Sequence, residues 1–409
     1  MLSVQEARKR ILAQFRPVEA LPLAIDRVSG RVLAQDVTAG IDLPAFDNSS
    51  VDGFAVKAAD VEGAGPASPR SLKVITDIPA GSNPAITLQS GQAARIMTGA
   101  PLPAGADAVV MVEDTDFKTR DAGSPTPPHV AVFRPVPPNA SVRRRGDDLH
   151  AGEVVLRAGQ LLRAQEIGLL AMLGIPEVTA YRQPRLALLS SGDELIEVSA
   201  RLVPGKVRDA NSYTLATLAE GSGAEIIRLG VAADRPEDIR ARLDRAVASQ
   251  VDAIVSSAGV SVGAFDYVKS VVEEGGKLEF WQVNMRPGKP LAFGQYRGIP
   301  FFGLPGNPVS AFVGYLVYVR PALERLSGKS ESHDFHLTAR LAESVESDGR
   351  ESYLRATVFQ ENGELMTRLT GHQGSGNIFS LVQANALLIV PSGVKSLPAN
   401  SDVEIWLIP

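Results

Sequence analysis

Apolar residues recur every three or four positions at the start of the chain, at Val4, Ala7, Ile11, Leu12 and Phe15, behind Ser3 with Glu6 three residues on. That spacing puts the apolar side chains on one helical face, and Ser3 with Glu6 forms a capping box, so an amphipathic helix is predicted first. From Leu21 to about Arg145 the pattern changes to short β-rich runs, among them Leu72 to Ile78 and Ala108 to Val112, separated by Gly and Pro clusters. Asp114 to His129, with its Ser-Pro-Thr-Pro-Pro run, reads as a mobile loop without chemistry. Ala164 to Leu173 predicts a short apolar helix stopped at Gly174.

Near residue 182 strands and helices begin to alternate. Arg185–Leu189, Glu225–Leu229, Asp252–Ser256 and Pro300–Gly303 read as strands, and Ser212–Glu220, Pro236–Ala248, Tyr267–Glu274 and Val309–Leu326 as helices. Such alternation predicts a doubly wound parallel sheet covered on both faces. After Ser330 only strands are predicted: Phe335–Leu341, Tyr353–Phe359, Leu387–Val390 and Val403–Leu407. The expected fold is multidomain α/β and β. A helical linking domain (1–26 with 146–181) accompanies a β-rich N-terminal region (27–145), a central α/β domain (182–330) and a small, barrel-like C-terminal β domain (331–409).

Composition narrows the function classes. With 409 residues, 44% hydrophobic and 21% charged, the chain is neither a single small module nor disordered. A net charge of −5 lacks the basic footprint of a nucleic-acid binder, so anion binding has to be local. Without cysteine there is no disulfide, thiolate metal site or cysteine nucleophile. Charged residues Glu6, Arg8, Lys9 and Arg10 interrupt the first fifteen positions, and the longest strongly apolar run, Phe312 to Val319, is far short of the roughly 20 residues that span a bilayer. A cytoplasmic protein without membrane or nucleic-acid partners is expected.

Three loops that follow predicted strands carry the candidate chemistry: Ser190 to Glu194, Ser257 to Asp266, and Gly303 to Pro308. In a parallel sheet all three lie on the carboxyl edge, where ligands bind. Their glycines let backbone N–H groups approach a phosphate, while Asp193, Glu194 and Asp266 need a hard cation such as Mg²⁺ beside such an anion. Each loop alone also reads as turn chemistry, since Asn307 before Pro308 is a good helix cap. Arg286 and Lys289, on the Pro287-Gly-Lys-Pro290 frame, suit a divalent oxyanion or form a solvated basic turn. Arg143-Arg-Arg-Gly-Asp-Asp148 reads equally as a salt-bridge network or a binding site, and His333 with His336 as surface residues. Neither a Gly-x-Ser-x-Gly elbow nor a Gly-Lys-Ser/Thr phosphate loop is present.

Read in order, Ser49-Ser-Val-Asp-Gly-Phe-Ala55, Met97-Thr-Gly-Ala-Pro101, Arg143 to Asp148, Ser191-Gly-Asp-Glu194, Val260 to Asp266, Pro287 to Pro290, Leu304-Pro-Gly-Asn-Pro308 and Gly371-His-Gln-Gly-Ser375 make a specific series. The chain resembles the molybdopterin molybdenumtransferase family, which includes the E domain of gephyrin. The resemblance implies the last step of molybdenum-cofactor assembly, with molybdate and adenylylated molybdopterin as substrates, Mg²⁺ as cofactor and AMP released. It implies that the 182–330 domain binds molybdopterin, that Asp234 and Asp266 hold the cation, and that Glu194 contacts the pterin nucleotide. Arg286, Lys289, Arg355 and Ser375 would form the molybdate pocket, with Asp52, Asp266 and Lys289 catalytic. Asp52, Thr98 and Asp148 would reach the site from the other subunit of a homodimer. Molybdopterin adenylyltransferase and apo-molybdoenzymes are further expected partners. The family often carries lysine where this chain has Gln282 and Arg286. A molybdopterin adenylyltransferase and a non-catalytic, gephyrin-type scaffold are the alternatives.

Overall fold

A computed structural model describes residues 1–117, 125–258, 264–329 and 335–408; the side chains of residues 258, 264–266 and 281 are also outside the description. Helix α1 (Val4–Ala13) begins where predicted, with Ser3 Oγ accepting from the Glu6 N–H at 3.2 Å while the Glu6 carboxylate turns forward to Arg10 Nε at 2.8 Å. The chain divides into two compact units, one of residues 36–157 and 168–175, the other of residues 1–35, 158–167 and 176–409.

The first of these is built on a five-stranded sheet of β1 (Gly53–Val56), β2 (Arg70–Ile78), β3 (Gln92–Ile96), β4 (Ala108–Met111) and β5 (His129–Val132), in the order β4-β1-β3-β2-β5. Period-two alternation gives it two apolar faces. Phe54, Val56, Leu72 and Val110 pack on one side, and Ala55, Ile78, Ala94 and Val109 on the other. Residues 118–124 of the expected 114–129 loop lie outside the described residues.

After helix α2 (Ala164–Met172), the larger unit runs through β6 (Arg185–Ser191), α3 (Asn211–Gly221), β7 (Glu225–Ala232), α4 (Pro236–Ala248), β8 (Ala253–Ala258) and α5 (Ala264–Gly275). It continues with β9 (Gly276–Gln282), the short β10 (Met285–Arg286), β11 (Pro290–Tyr296), β12 (Ile299–Pro305), α6 (Pro308–Gly314) and α7 (Arg320–Leu326). The sheet order is β7-β6-β8-β12-β11-β9, with β7, β6, β8 and β12 parallel and the β11 and β9 edge antiparallel. Alternation explains the double covering. Leu186 and Leu188 pack with α1, α3 and α6, whereas Ala187 and Leu189 pack with α4 and α5. The expected doubly wound parallel sheet is present and is extended by an antiparallel edge. Arg297 and Gly298, both at positive φ (47° and 83°), close a two-residue hairpin between β11 and β12, and β9 then pairs outside β11.

The C-terminal strands β13 (His336–Leu341), β14 (Glu351–Glu361), β15 (Glu364–Leu369), β16 (Ala386–Val390) and β17 (Asp402–Leu407) close on themselves as β14-β15-β13-β17-β16-β14, with β10 added beside β14. Closure leaves the five barrel strands without a free edge and fills the interior with Leu341, Leu354, Leu388 and Ile405. β15 was not among the predicted strands. His336 lies on the barrel against Glu404 and Trp406, and His333 is outside the described residues.

Candidate functional site

The strand order reverses around β6. The chain leaves β6 through α3 toward β7, then crosses back through α4 to β8, so a crevice opens at the carboxyl ends of β6 and β8. Among the described residues, five buried side-chain atoms at or beside this edge have no hydrogen-bond partner: Oγ of Ser190, Ser191 and Ser256, Oδ1 of Asn211 and Oδ1 of Asp234. Each would cost about 1–3 kcal/mol if left unpaired, so their concentration marks a place where something else supplies the partners.

A cavity of about 430 Å³ sits there, lined by Glu194, Arg208, Asp209, Asn211, Ser257, Asn307 and the apolar Leu195, Val207 and Pro308. Its acidic rim is organised by backbone bonds. Asp193 N–H donates to Asp234 Oδ2 at 3.2 Å, and Asp234 N–H donates to Asp193 Oδ1 at 3.1 Å. Burial raises the Asp234 carboxyl above its ordinary range; the charges of Asp193 and Glu194 push the same way and the Asp193 N–H opposes them. Gly192 sits at φ +146°, a backbone conformation that residues with a side chain rarely adopt. Of the expected loop Ser257 to Asp266, residues 259–263 lie outside the description; Asp266 lies in α5, but its side chain is among those not described.

A second cavity of about 410 Å³ adjoins the first through Asn307, which lines both. Four cations, Arg286, Lys289, Arg350 and Arg355, line it together with Asn307, Ser310, Gln373 and Ser375, and among the described residues no carboxylate does. Lys289 is exposed and has no ion-pair partner among the described residues. Arg286 Nη1 lies 3.9 Å from Asp348, whose carboxylate is mainly engaged by Arg350. Arg350 Nη1 also donates to the Met285 carbonyl at 3.2 Å, which fixes the turn that carries Arg286. Arg355 is completely buried in β14 and donates to Ser380 Oγ (2.9 Å) and to the carbonyls of His372, Gln373 and Gly374 (3.3, 3.2 and 3.0 Å). It therefore shapes the loop that presents Ser375 and adds positive charge from behind. Burial, with Arg286 nearby, lowers its guanidinium to about 10.

Asn307 also settles the helix-cap alternative. Its side chain makes no cap bond to α6 and instead donates through Nδ2 to Ser375 Oγ at 3.1 Å. The Ser375 carbonyl takes the Val309 N–H at 3.0 Å, tying the start of α6 to the C-terminal region.

The candidates in the smaller unit form their own groups. Asp52 Oδ1 accepts from Thr98 N and Oγ1 at 2.8 and 2.7 Å. Asp148 is held by Arg143 Nη2 at 2.6 Å, while Arg144 and Arg145 pair with Asp47 and Asp42, which is the salt-bridge network. Asn211, Asp209 and Arg350 were not read from the sequence. Asp209 lies two residues before α3 and Asn211 is its first residue, positions that look like caps, and Asp209 does accept from the Ser212 N–H at 3.1 Å. Arg350, two residues after Asp348, looks like an ordinary turn residue.

Fold and site together define a class: a switch-point α/β domain with an acidic crevice beside a cationic pocket completed by a closed barrel. The comparisons agree along the chain. Family models described as "MoeA N-terminal region (domain I and II)", "Probable molybdopterin binding domain" and "MoeA C-terminal region (domain IV)" match residues 2–174, 187–325 and 338–408. Molybdopterin molybdenumtransferase of Nostoc sp. is 38% identical over 93% of this chain and 87% of its own length. Molybdopterin molybdenumtransferase 2 of Mycobacterium tuberculosis is 37% identical over 99% of each. The crystal structure of the molybdopterin biosynthesis MoeA protein of Pyrococcus horikoshii superposes with a TM-score of 0.80 at 29% identity, over 100% of both chains. The chain belongs to the molybdopterin molybdenumtransferase family.

Proposed function

We propose that this chain inserts molybdenum into adenylylated molybdopterin, with hydrolysis of the phosphoanhydride and release of AMP, as the final step of molybdenum-cofactor synthesis. The observation that carries the reading is the cavity lined, among the described residues, by four cations and no carboxylate, adjoining an acidic crevice. Molybdate is a divalent oxyanion. Arg286 can grip it at two points, Lys289 supplies a mobile point charge, and Asn307 and Ser375 offer neutral hydrogen bonds. The sulfur ligands for molybdenum belong to the pterin, which fits a chain without cysteine.

Asp234 supports a cation site beside the nucleotide, because its Oδ1 is buried without a partner among the described residues and the neighbouring charges of Asp193 and Glu194 add to the burial that raises its carboxyl. Among the described residues no group of three or more His, Asp or Glu is arranged to hold a metal ion, and the Asp266 side chain is outside them. Asp234 with Asp266 would hold Mg²⁺, which when bound neutralises phosphoanhydride charge. Glu194 orients the nucleotide against that edge. Asp52, with its Oδ1 fixed by Thr98, and Asp148 act from the second subunit of a homodimer, Asp52 as the group that holds a proton during hydrolysis. The protein works in the cytoplasm, taking substrate from molybdopterin adenylyltransferase and passing cofactor to apo-molybdoenzymes; no described helix is long and apolar enough to cross a membrane.

The test is AMP release by purified protein given adenylylated molybdopterin, Mg²⁺ and molybdate, with transfer of the product to an apo-molybdoenzyme. Molybdate-dependent AMP release is expected. ATP consumption without molybdate would favour the adenylyltransferase, and no turnover at all the scaffold.

A further inference from the structure

Asn211 opens α3 and reaches across two other strand ends, with its Nδ2 donating to Ser257 Oγ at 2.6 Å and to the Gly306 carbonyl at 2.7 Å. A carbonyl only accepts, so the amide cannot be turned round. Both Nδ2 hydrogens are spent, and the oxygen is the free end. Among the described residues that oxygen has no partner, although the residue is only 8% exposed and lines the 430 Å³ cavity. Asp209, 4% exposed, is a second acceptor on the same wall, and Leu195, Val207 and Pro308 add apolar surface suited to the faces of a flat ring.

We infer that Asn211 Oδ1 is a specificity-determining acceptor that reads an exocyclic amino group of the substrate's heterocycle. An ionised phosphate has no hydrogen to give, so the buried oxygen selects the ring end of the substrate, while the cationic cavity takes the oxyanion. The inference rests on the proposed function and adds what recognises the ring. Two parts of the substrate carry such an amino group, the pterin and the adenine, and the test separates them.

Calorimetric binding to the full chain compares pterin with lumazine, in which a carbonyl replaces the amino group, and AMP with purine riboside monophosphate, which lacks it. One pair is expected to show a preference of about tenfold for the amino member, and that pair identifies the ring. Asn211→Leu, with its cooperative melting verified, should reduce the preference to about twofold or less. Because the wild-type preference needs no substitution, a variant that fails to fold leaves the test standing. Equal affinities within both pairs, no binding of any of the four compounds, or a preference that survives Asn211→Leu would each overturn the inference. Molybdate-dependent AMP release is measured separately. Its presence without amino preference rejects only the role of Asn211, and amino preference without turnover rejects only the proposed function.

Discussion

The two adjoining cavities share one residue, Asn307, and have opposite character. Among the described residues, one is lined by Glu194 and Asp209 against a single Arg208, with the Asp193 and Asp234 pair beside it, and the other by four cations and no acid. Charges of both signs spread evenly over a surface would be a solvated face. Sorted onto two sides of one asparagine, they describe a ligand with unlike ends. The lesson extends to how each side is held. The acidic rim is fixed by backbone N–H groups of its own loops, whereas the cationic side depends on Arg350 and Arg355 from the barrel.

The strongest blow to this contrast is charge removal on the cationic side. Arg286→Ala combined with Lys289→Ala should cut AMP release at limiting molybdate by about a hundredfold or more, through loss of two charge-assisted contacts. Pterin or AMP binding to the acidic cavity should be retained; loss of both together would merge the two sites. On the acidic side, Asp234→Asn should weaken Mg²⁺ binding by about tenfold, read by metal titration, and raise the melting temperature by about 1–2 °C. The sign follows from the carboxyl being raised in the folded state. It holds its proton there above the unfolded value, so stability is lost as pH rises through the folded pKa and ionised Asp234 is a burden at neutral pH.

Subunit sharing predicts an intermediate effect. Inactive Asp52→Ala and Asp266→Ala proteins, mixed after verified subunit exchange, should recover about a quarter of wild-type activity, since half the dimers are hybrids with one intact site. No recovery would place each site within one subunit. Smallest is the fully partnered counterpart of Asp234. Glu166, 5% exposed, is lowered to about 2, chiefly by hydrogen bonding from Arg163 and against the penalty of burial. Its contribution to stability is complete above the unfolded carboxyl range and disappears as pH falls toward 2, so Glu166→Gln should flatten acid unfolding below about pH 5 and leave AMP release untouched.

Much of the larger unit could be read in advance. Pro236–Ala248 forms a helix with the predicted bounds, since proline at its start and a clean apolar stripe leave little alternative. The strand Gly276–Gln282 was missed although Leu278 and Phe280 alternate with polar neighbours, because Gly275-Gly276 before it and Pro287 to Pro290 after it look like loop punctuation. Glu364–Leu369, short and half polar, becomes a strand only because the barrel needs it to close. The same limit applies to the site: Arg286 and Lys289 stood out on their rigid turn, while Arg350 and Asn211 looked like turn and cap.

Local chemistry sufficed for the alternation of strands and helices and for the loops after β6 and β12 on the sheet's carboxyl edge, because these follow from period and glycine placement. Tertiary structure alone decided which polar atoms are left without partners and which charges face the same space. Whether Asn307 caps its helix or reaches Ser375, and whether Arg355 meets solvent or lies buried behind a loop, depends on neighbours 68 and 19 residues away along the chain. A side chain's chemical type is written in the chain, but its unsatisfied hydrogen-bonding capacity is defined only once everything around it has been placed.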